Sequence, residues 1–198
     1  AALDQTEFKD VTYWLNLKKI LLWSTKNVTS TLFSCWGVAA ALKAFYDIDI
    51  IFRQDKLSGI YDVELSSKID TLTRGFDDVF KAPISRYCDF PLDIINEKTD
   101  INVLASSKDV GLYLGVSGNG KQVYVSGHPE YDVDTLDQEY HRDLAANKSP
   151  NIPINYYPDN DPNKAPLCSW RGHSSLLFCN WLNYYVYQET PYDPYQSK

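Results

Sequence analysis

Three observations predict an α/β fold for this chain. Helical periodicity marks its two ends, short apolar β-branched runs lie between them, and one such run passes directly into a small-residue helix. The 198 residues, 44% hydrophobic and 14% aromatic, suffice for one compact domain with a sizeable core rather than two independent ones.

Taken in order, Trp14, Leu17, Leu21 and Leu22 recur at helical spacing beside Lys18, Lys19 and Lys26, which predicts an amphipathic helix from Asp10 to Lys26. Val28 to Phe33 is short, apolar and β-branched, as a buried parallel strand is, and Gly37 to Tyr46 resumes an Ala-rich helical pattern. Arg53 to Asp100 mixes short β-like runs, such as Ile60 to Leu65, with polar connections and a Pro-containing loop from Pro83 to Pro91, and reads as loop-rich surface. Ile101 to Ala105 and Gly111 to Val116 read as strands, and Ser117-Gly-Asn-Gly120 as a hairpin turn into a strand from Gln122 to Ser126. Asp134 is placed to cap a helix whose apolar face is Val133, Leu136, Tyr140 and Leu144. With four prolines, Asn151 to Pro166 forms an ordered arm, and Ser174 to Gln188 a final aromatic-rich helix stopped before Pro191.

Composition narrows the functional classes. Nineteen Lys and Arg against twenty-six Asp and Glu give a net charge of -7, which disfavours nucleic acid and anionic membrane as partners. No apolar run reaches the roughly 20 residues of a membrane helix, and the first residues carry no signal-like pattern, so the expectation is a soluble, cytoplasmic protein. Cys35, Cys88, Cys168 and Cys179 are irregularly spaced, as free thiols in a reducing compartment are, and no His pair has metal-ligand spacing. Neither a metal nor a cofactor is expected. Because the chain contains no Met, it reads as part of something longer.

Two stretches carry chemistry. Cys35 stands where a strand ends and a helix begins, so it is either a packing residue or a nucleophile at the carboxyl edge of a sheet. There the positive helix end favours a thiolate, and unpaired N–H groups can hold an oxyanion. Gly127-His128-Pro129-Glu130 also follows a strand. His and Glu at i and i+2 in extended chain share a side, so Glu130 can orient the imidazole that draws a proton from a thiol or hydroxyl. His141 falls on the polar side of the next helix, and His173 reads as a helix-start or packing residue.

Six stretches extend the pattern: Ser30-Thr-Leu-Phe-Ser-Cys-Trp-Gly37, Lys56-Leu-Ser-Gly-Ile-Tyr61, Leu72-Thr-Arg-Gly-Phe-Asp-Asp78, Pro83-Ile-Ser-Arg-Tyr87, Gly127-His-Pro-Glu-Tyr-Asp132 and Asn180-Trp-Leu-Asn-Tyr-Tyr-Val-Tyr-Gln188. With these the chain resembles the homoserine O-acyltransferases of bacterial methionine biosynthesis over essentially its whole length. The resemblance implies a class I glutamine-amidotransferase-like (flavodoxin-like) three-layer sandwich with a mostly parallel sheet. It also implies a single acyltransferase domain over residues 1–198, forming the C-terminal part of a longer protein whose N-terminal portion carries the first strands.

Residue by residue, the resemblance implies Cys35 as acyl-thioester nucleophile, His128 as proton acceptor, Glu130 as its partner and N–H groups near Trp36 as the oxyanion site. Lys56, Ser85 and Arg142 match substrate-binding positions, with Arg142 suited to a bidentate contact with an amino-acid carboxylate. Without the resemblance, Lys56 and Arg142 read as solvated charges. The resemblance further places Asp4 where succinyl users have a small residue and acetyl users Glu. A carboxylate there repels a succinyl carboxylate, which points to acetyl-CoA as co-substrate unless Asp4 faces solvent. The acceptor is homoserine or serine, one methylene apart, leading to methionine or cysteine. Succinyl transfer, a glutamine amidotransferase-like hydrolase and a silent binding relative stand as alternatives, and a homodimer is a reasonable assembly.

Overall fold

A computed structural model describes residues 7–49, 51–66 and 69–191. Its six strands are β1 (Thr31–Ser34), β2 (Ile51–Leu65), β3 (Val79–Asp89), β4 (Asn102–Ser107), β5 (Gly111–Val116) and β6 (Gln122–Val125). They form one sheet in the order β1-β6-β5-β4-β2-β3. Among the described residues five α-helices accompany it: α1 (Trp14–Asn27), α2 (Trp36–Tyr46), α3 (Leu92–Lys98), α4 (Thr135–Ala145) and α5 (Arg171–Asn180), the last continuing as a π-helix over Trp181–Tyr187.

Strand alternation sorts the core onto the two faces of the sheet. In β6, Tyr124 joins Phe33 of β1 and Val38 to Leu42 of α2 in one cluster, to which Leu21 of α1 also belongs. Val123 and Val125 point the other way, into a second cluster with Ile84, Leu114 and Leu177 of α5. Helices therefore cover both faces, giving the expected three layers. The run Ala39-Ala-Ala41 lets α2 lie close against the sheet, fully buried. In α1 the inward stripe is Trp14, Leu17 and Leu21, whereas Leu22 is exposed because it falls one residue past the stripe.

Two expectations are corrected. The sheet is mixed, and among the described residues β1–β6 is the one parallel pairing between its six strands. Strands β4, β5 and β6 follow one another through short turns, which force antiparallel neighbours. The segment from Arg53 to Asp100 is a long hairpin, β2 with β3, followed by α3, rather than loop-rich surface. Residues 51–56 of β2 are exposed or half-buried on both faces and residues 82–86 of β3 are buried on both, so the alternation that marks a half-buried strand is faint.

The arm from Asn151 to Pro166 is tied to this hairpin. Ile154 bridges Gly59 of β2, and its carbonyl accepts from the Ile60 N–H at 2.7 Å. Gly59 has φ +143°, and a Cβ there would lie 2.3 Å from the Ile154 oxygen. Gly59→Ala is therefore expected to cost about 2–3 kcal/mol through backbone strain and loss of this docking. The check is a lowered urea midpoint together with faster proteolysis within residues 151–166.

Candidate active site

Parallel pairing of β1 with β6 puts both of their carboxyl ends on one edge of the sheet. Cys35 follows β1 and His128 lies three residues beyond β6. The Cys35 N–H continues the ladder by bonding the Val125 carbonyl at 2.9 Å, and the chain then turns sharply into α2 with φ +48° and ψ -114° at Cys35. Such a conformation is costly for a side chain with a Cβ, and at a reactive position it lifts the sulfur clear of the strand. Trp36 and Gly37 occupy the first turn of α2, where backbone N–H groups have no intrahelical acceptor.

The His128 loop is pinned from two sides. Ser34 Oγ donates to the Gly127 carbonyl at 3.2 Å, and the His128 N–H donates to the Pro83 carbonyl of β3 at 2.9 Å. Only glycine fits at 127, because a Cβ would stand 2.7 Å from the Pro83 oxygen and from Ile84 Cδ1. Strand β3, last in the sheet order, thus curls back against the end of β6. It brings Ser85 over Cys35, whose Sγ donates to the Ser85 carbonyl at 3.6 Å.

His128 Nδ1 and Glu130 Oε1 are 2.7 Å apart, as the i, i+2 spacing predicts. Burial works against a charged imidazole here, but hydrogen bonds to Cys35 and Glu130, with their negative charges, outweigh it and push His128 up to about 10. Cys35, His128 and Glu130 all line one cleft of about 990 Å³.

Lys56 reaches this cleft through an irregularity in β2. The register passes from Phe52 opposite Cys88 to Leu57 opposite Arg86, so residues 53–56 stand against the single residue Tyr87. A bulge of that size re-aims side chains. Lys56 Nζ donates to Glu139 Oε2 at 2.7 Å and to Asp143 Oδ2 at 3.3 Å, both on α4. Ser85 Oγ donates to the same Glu139 oxygen, and the Tyr131 hydroxyl donates to Oε1 at 2.6 Å. Burial alone would raise the Glu139 carboxyl, yet the hydrogen bonds from Lys56, Ser85 and Tyr131 hold it below its ordinary value.

Lys56 is therefore a mostly buried cation between two carboxylates, not a solvated charge. Arg142 lines the cleft with an exposed side chain whose Nε and Nη2 donate to Asp143 Oδ1 at 3.0 and 2.9 Å. Its bidentate face is thus turned to its own neighbour. Asp4 lies outside the described residues.

Asp134 occupies the N-cap position of α4, but its carboxylate accepts from the Gln138 side chain at 2.6 Å instead of from a backbone N–H. The expected apolar face of that helix is also interrupted, with Leu144 exposed and Asp143 buried. His141 is exposed as expected, and His173 packs as a stacked partner of Phe80.

Glu139, Asp143, Tyr131 and Arg86 escaped the sequence reading. Glu139 lies three residues before Arg142 on the same helix, and that spacing was the available signal. Arg86 is 1% exposed at the cleft wall, its Nη2 bonding the Val110 carbonyl at 2.5 Å and its guanidinium 4.8 Å over the Phe90 ring. Nothing local marks a buried arginine.

A family model described as homoserine O-succinyltransferase matches residues 1–192. Homoserine O-acetyltransferase of Succinatimonas hippei is 57% identical over 192 residues, covering 97% of this chain and 64% of that protein. Homoserine O-succinyltransferases of Photorhabdus laumondii and Tolumonas auensis are 54% and 55% identical over 193 residues, 98% of this chain and 62% and 61% of theirs. The chain spans less than two thirds of the length of these relatives. Among solved structures, a glutamine amidotransferase from Thermotoga maritima superposes with a TM-score of 0.61 at 16% identity over 86% of this chain and 69% of that one. A second, from Methylobacillus flagellatus, gives 0.61 at 9% identity over 87% of this chain and 70% of that one. These two establish the class I glutamine amidotransferase-like fold. Among the described residues, no helix is long and apolar enough to cross a membrane.

Proposed function

The chain belongs to the homoserine O-succinyltransferase family, and on that premise we propose that it carries the acyl-transfer centre of a homoserine O-acyltransferase of methionine biosynthesis. The observation that carries the reading is the alignment of Cys35, His128 and Glu130 at one sheet edge, with first-turn N–H groups of α2 beside the sulfur.

The reaction follows from that placement. His128 takes the proton of the Cys35 thiol, and the thiolate attacks the thioester carbonyl of the acyl-CoA. The oxyanion forms beside the Trp36 and Gly37 N–H groups. Collapse expels the CoA sulfur, which takes the proton from His128, and the acyl group stays on Cys35. His128 next accepts the proton of the homoserine hydroxyl as its oxygen attacks the enzyme thioester. Expulsion of the Cys35 sulfur restores the enzyme and releases the O-acyl ester. Lys56 and Ser85 stand at the cleft wall, placed for the acceptor, with Lys56 retaining an N–H beyond the two it gives to Glu139 and Asp143.

For the donor we propose succinyl-CoA, in place of the acetyl-CoA expected from Asp4. The family description and the Photorhabdus and Tolumonas relatives carry that name. The cleft is consistent with it, since Arg53, Lys56, Arg86, Arg142 and Lys148 outnumber Glu130, Glu139 and Asp143 along its lining. An added carboxylate is favoured by such a field. The Succinatimonas relative favours acetyl transfer as the second reading.

The test is mass spectrometry of full-length protein incubated with succinyl-CoA or acetyl-CoA, followed by homoserine or serine. A succinyl adduct on Cys35 that homoserine discharges is expected. Faster acetyl labelling would select the second donor, discharge by serine alone would change the acceptor, and no adduct with either donor would refute the mechanism.

A further inference from the structure

His128 sits on a loop, so its ring plane is not set by a helix or strand. Glu130 holds one edge of the ring through Nδ1, which leaves the opposite nitrogen for Cys35. Bonds at the two ring nitrogens lie in the ring plane and leave the imidazole free to tilt about the line that joins them. Its face is covered by Tyr131, whose ring stacks on the imidazole with centroids 4.1 Å apart and 20° between planes.

Tyr131 is itself fixed at both ends. Its N–H bonds the His128 carbonyl at 3.1 Å, and its carbonyl accepts from Trp170 Nε1, a fully buried side chain, at 3.0 Å. At the far end its hydroxyl donates to Glu139 Oε1 at 2.6 Å, while the other Glu139 oxygen takes Lys56 and Ser85. Ser85 in turn presents its main-chain carbonyl to Cys35 Sγ. One carboxylate on α4 thus ties the imidazole side of the site to the sulfur side. With three donors on its two oxygens, Glu139 acts as an anchor.

We propose that Tyr131 is a positioning residue for His128, its ring holding the imidazole plane and its Glu139-anchored hydroxyl holding the ring. The proposal rests on His128 being the base and adds what keeps that base aimed at Cys35. Proton transfer and attack demand alignment within roughly 10–20°. A ring face supplies that restraint without offering a competing hydrogen bond. Among the described residues, the titratable groups facing the imidazole are Cys35, Glu130 and Tyr131.

The experiment compares His128→Asn, Tyr131→Leu and Tyr131→Phe in the full-length protein. Wild-type transfer by His128→Asn would overturn the base reading itself, independently of Tyr131. With the base upheld, Tyr131→Leu is expected to slow Cys35 acylation by about tenfold or more while KM for either substrate stays within about twofold, and to displace the kcat/KM profile along the pH axis. Tyr131→Phe keeps the stacked ring and loses its anchor, so it is expected between Tyr131→Leu and wild type. An unchanged kcat and pH profile in Tyr131→Leu, or a loss carried by KM alone, would overturn the proposal. Should Tyr131→Leu fail to fold, Tyr131→Phe decides: wild-type kcat with unmoved His128 ring resonances by NMR would overturn it equally.

Discussion

Cys35→Ala and Cys35→Gly are both expected to abolish acyl transfer, by on the order of 10³-fold or more, and to take no acyl label. The two variants should nevertheless differ in stability. The Cys35 backbone, at φ +48° and ψ -114°, is unfavourable for any residue with a Cβ and costs about 1–3 kcal/mol. Glycine removes that cost and alanine keeps it, while both lose the same buried sulfur. Cys35→Gly is therefore expected to melt above Cys35→Ala by a few degrees, about 1–2 kcal/mol, with neither active. Differential scanning calorimetry with a thioester assay checks both halves. Equal melting temperatures would mean that the elbow stores no strain, and surviving transfer in either variant would place the nucleophile elsewhere.

Lys56→Met is expected to lower stability by about 3 kcal/mol at neutral pH, because it strands carboxylates that the lysine neutralises. The side chains of Lys56, Glu139 and Asp143 are 11%, 17% and 5% exposed, so solvent can replace little of the lost interaction. The pH dependence separates this from simple loss of packing. In the wild type the Glu139 carboxyl is depressed below its ordinary 4.5, so its contribution is present above that pH and is lost as pH falls through the folded value. Without Lys56 the largest opposing influence on Glu139 is gone, and its burial pushes the other way. A raised carboxyl destabilises at high pH and relaxes on protonation, so the gap between variant and wild type should narrow as pH drops from 7 toward 4.5. Urea unfolding at several pH values measures the gap. Adding Glu139→Gln to Lys56→Met should recover part of the loss, whereas a gap that is constant with pH would assign it to packing.

The parts of the site that were legible in the sequence are local. Cys35 between a strand and a helix, and His128 with Glu130 two residues on, need only the periods of extended and helical chain to be read. Ser117 to Gly120 announces its hairpin through turn chemistry, and Pro191 ends the last helix. Lys56 and Ser85 were reached through resemblance, not through pattern, since the strands that carry them looked like loop. Exposure on both faces at the start of β2 and burial on both faces within β3 hide their pairing, and the bulge at residues 53–56 breaks what alternation remains. On α4, the expected apolar position Leu144 is exposed and Asp143 is buried, because the helix turns its carboxylates toward a lysine that arrives from 87 positions earlier in the chain.

By itself, then, the sequence determined which chemical groups the protein has and the local backbone that presents them: a thiol at an elbow, an imidazole with a carboxylate beside it, and helices and turns of defined place. Only the tertiary structure decided that these groups meet. Parallel pairing puts the ends of β1 and β6 on one edge, and the curl of the sheet returns β3 to them, so residues 50 and 93 positions apart come into contact. The physical reason is that period and turn chemistry act over a few residues. Strand partners, burial and the neutralisation of Lys56 by Glu139 and Asp143 depend instead on how the whole chain closes on its core.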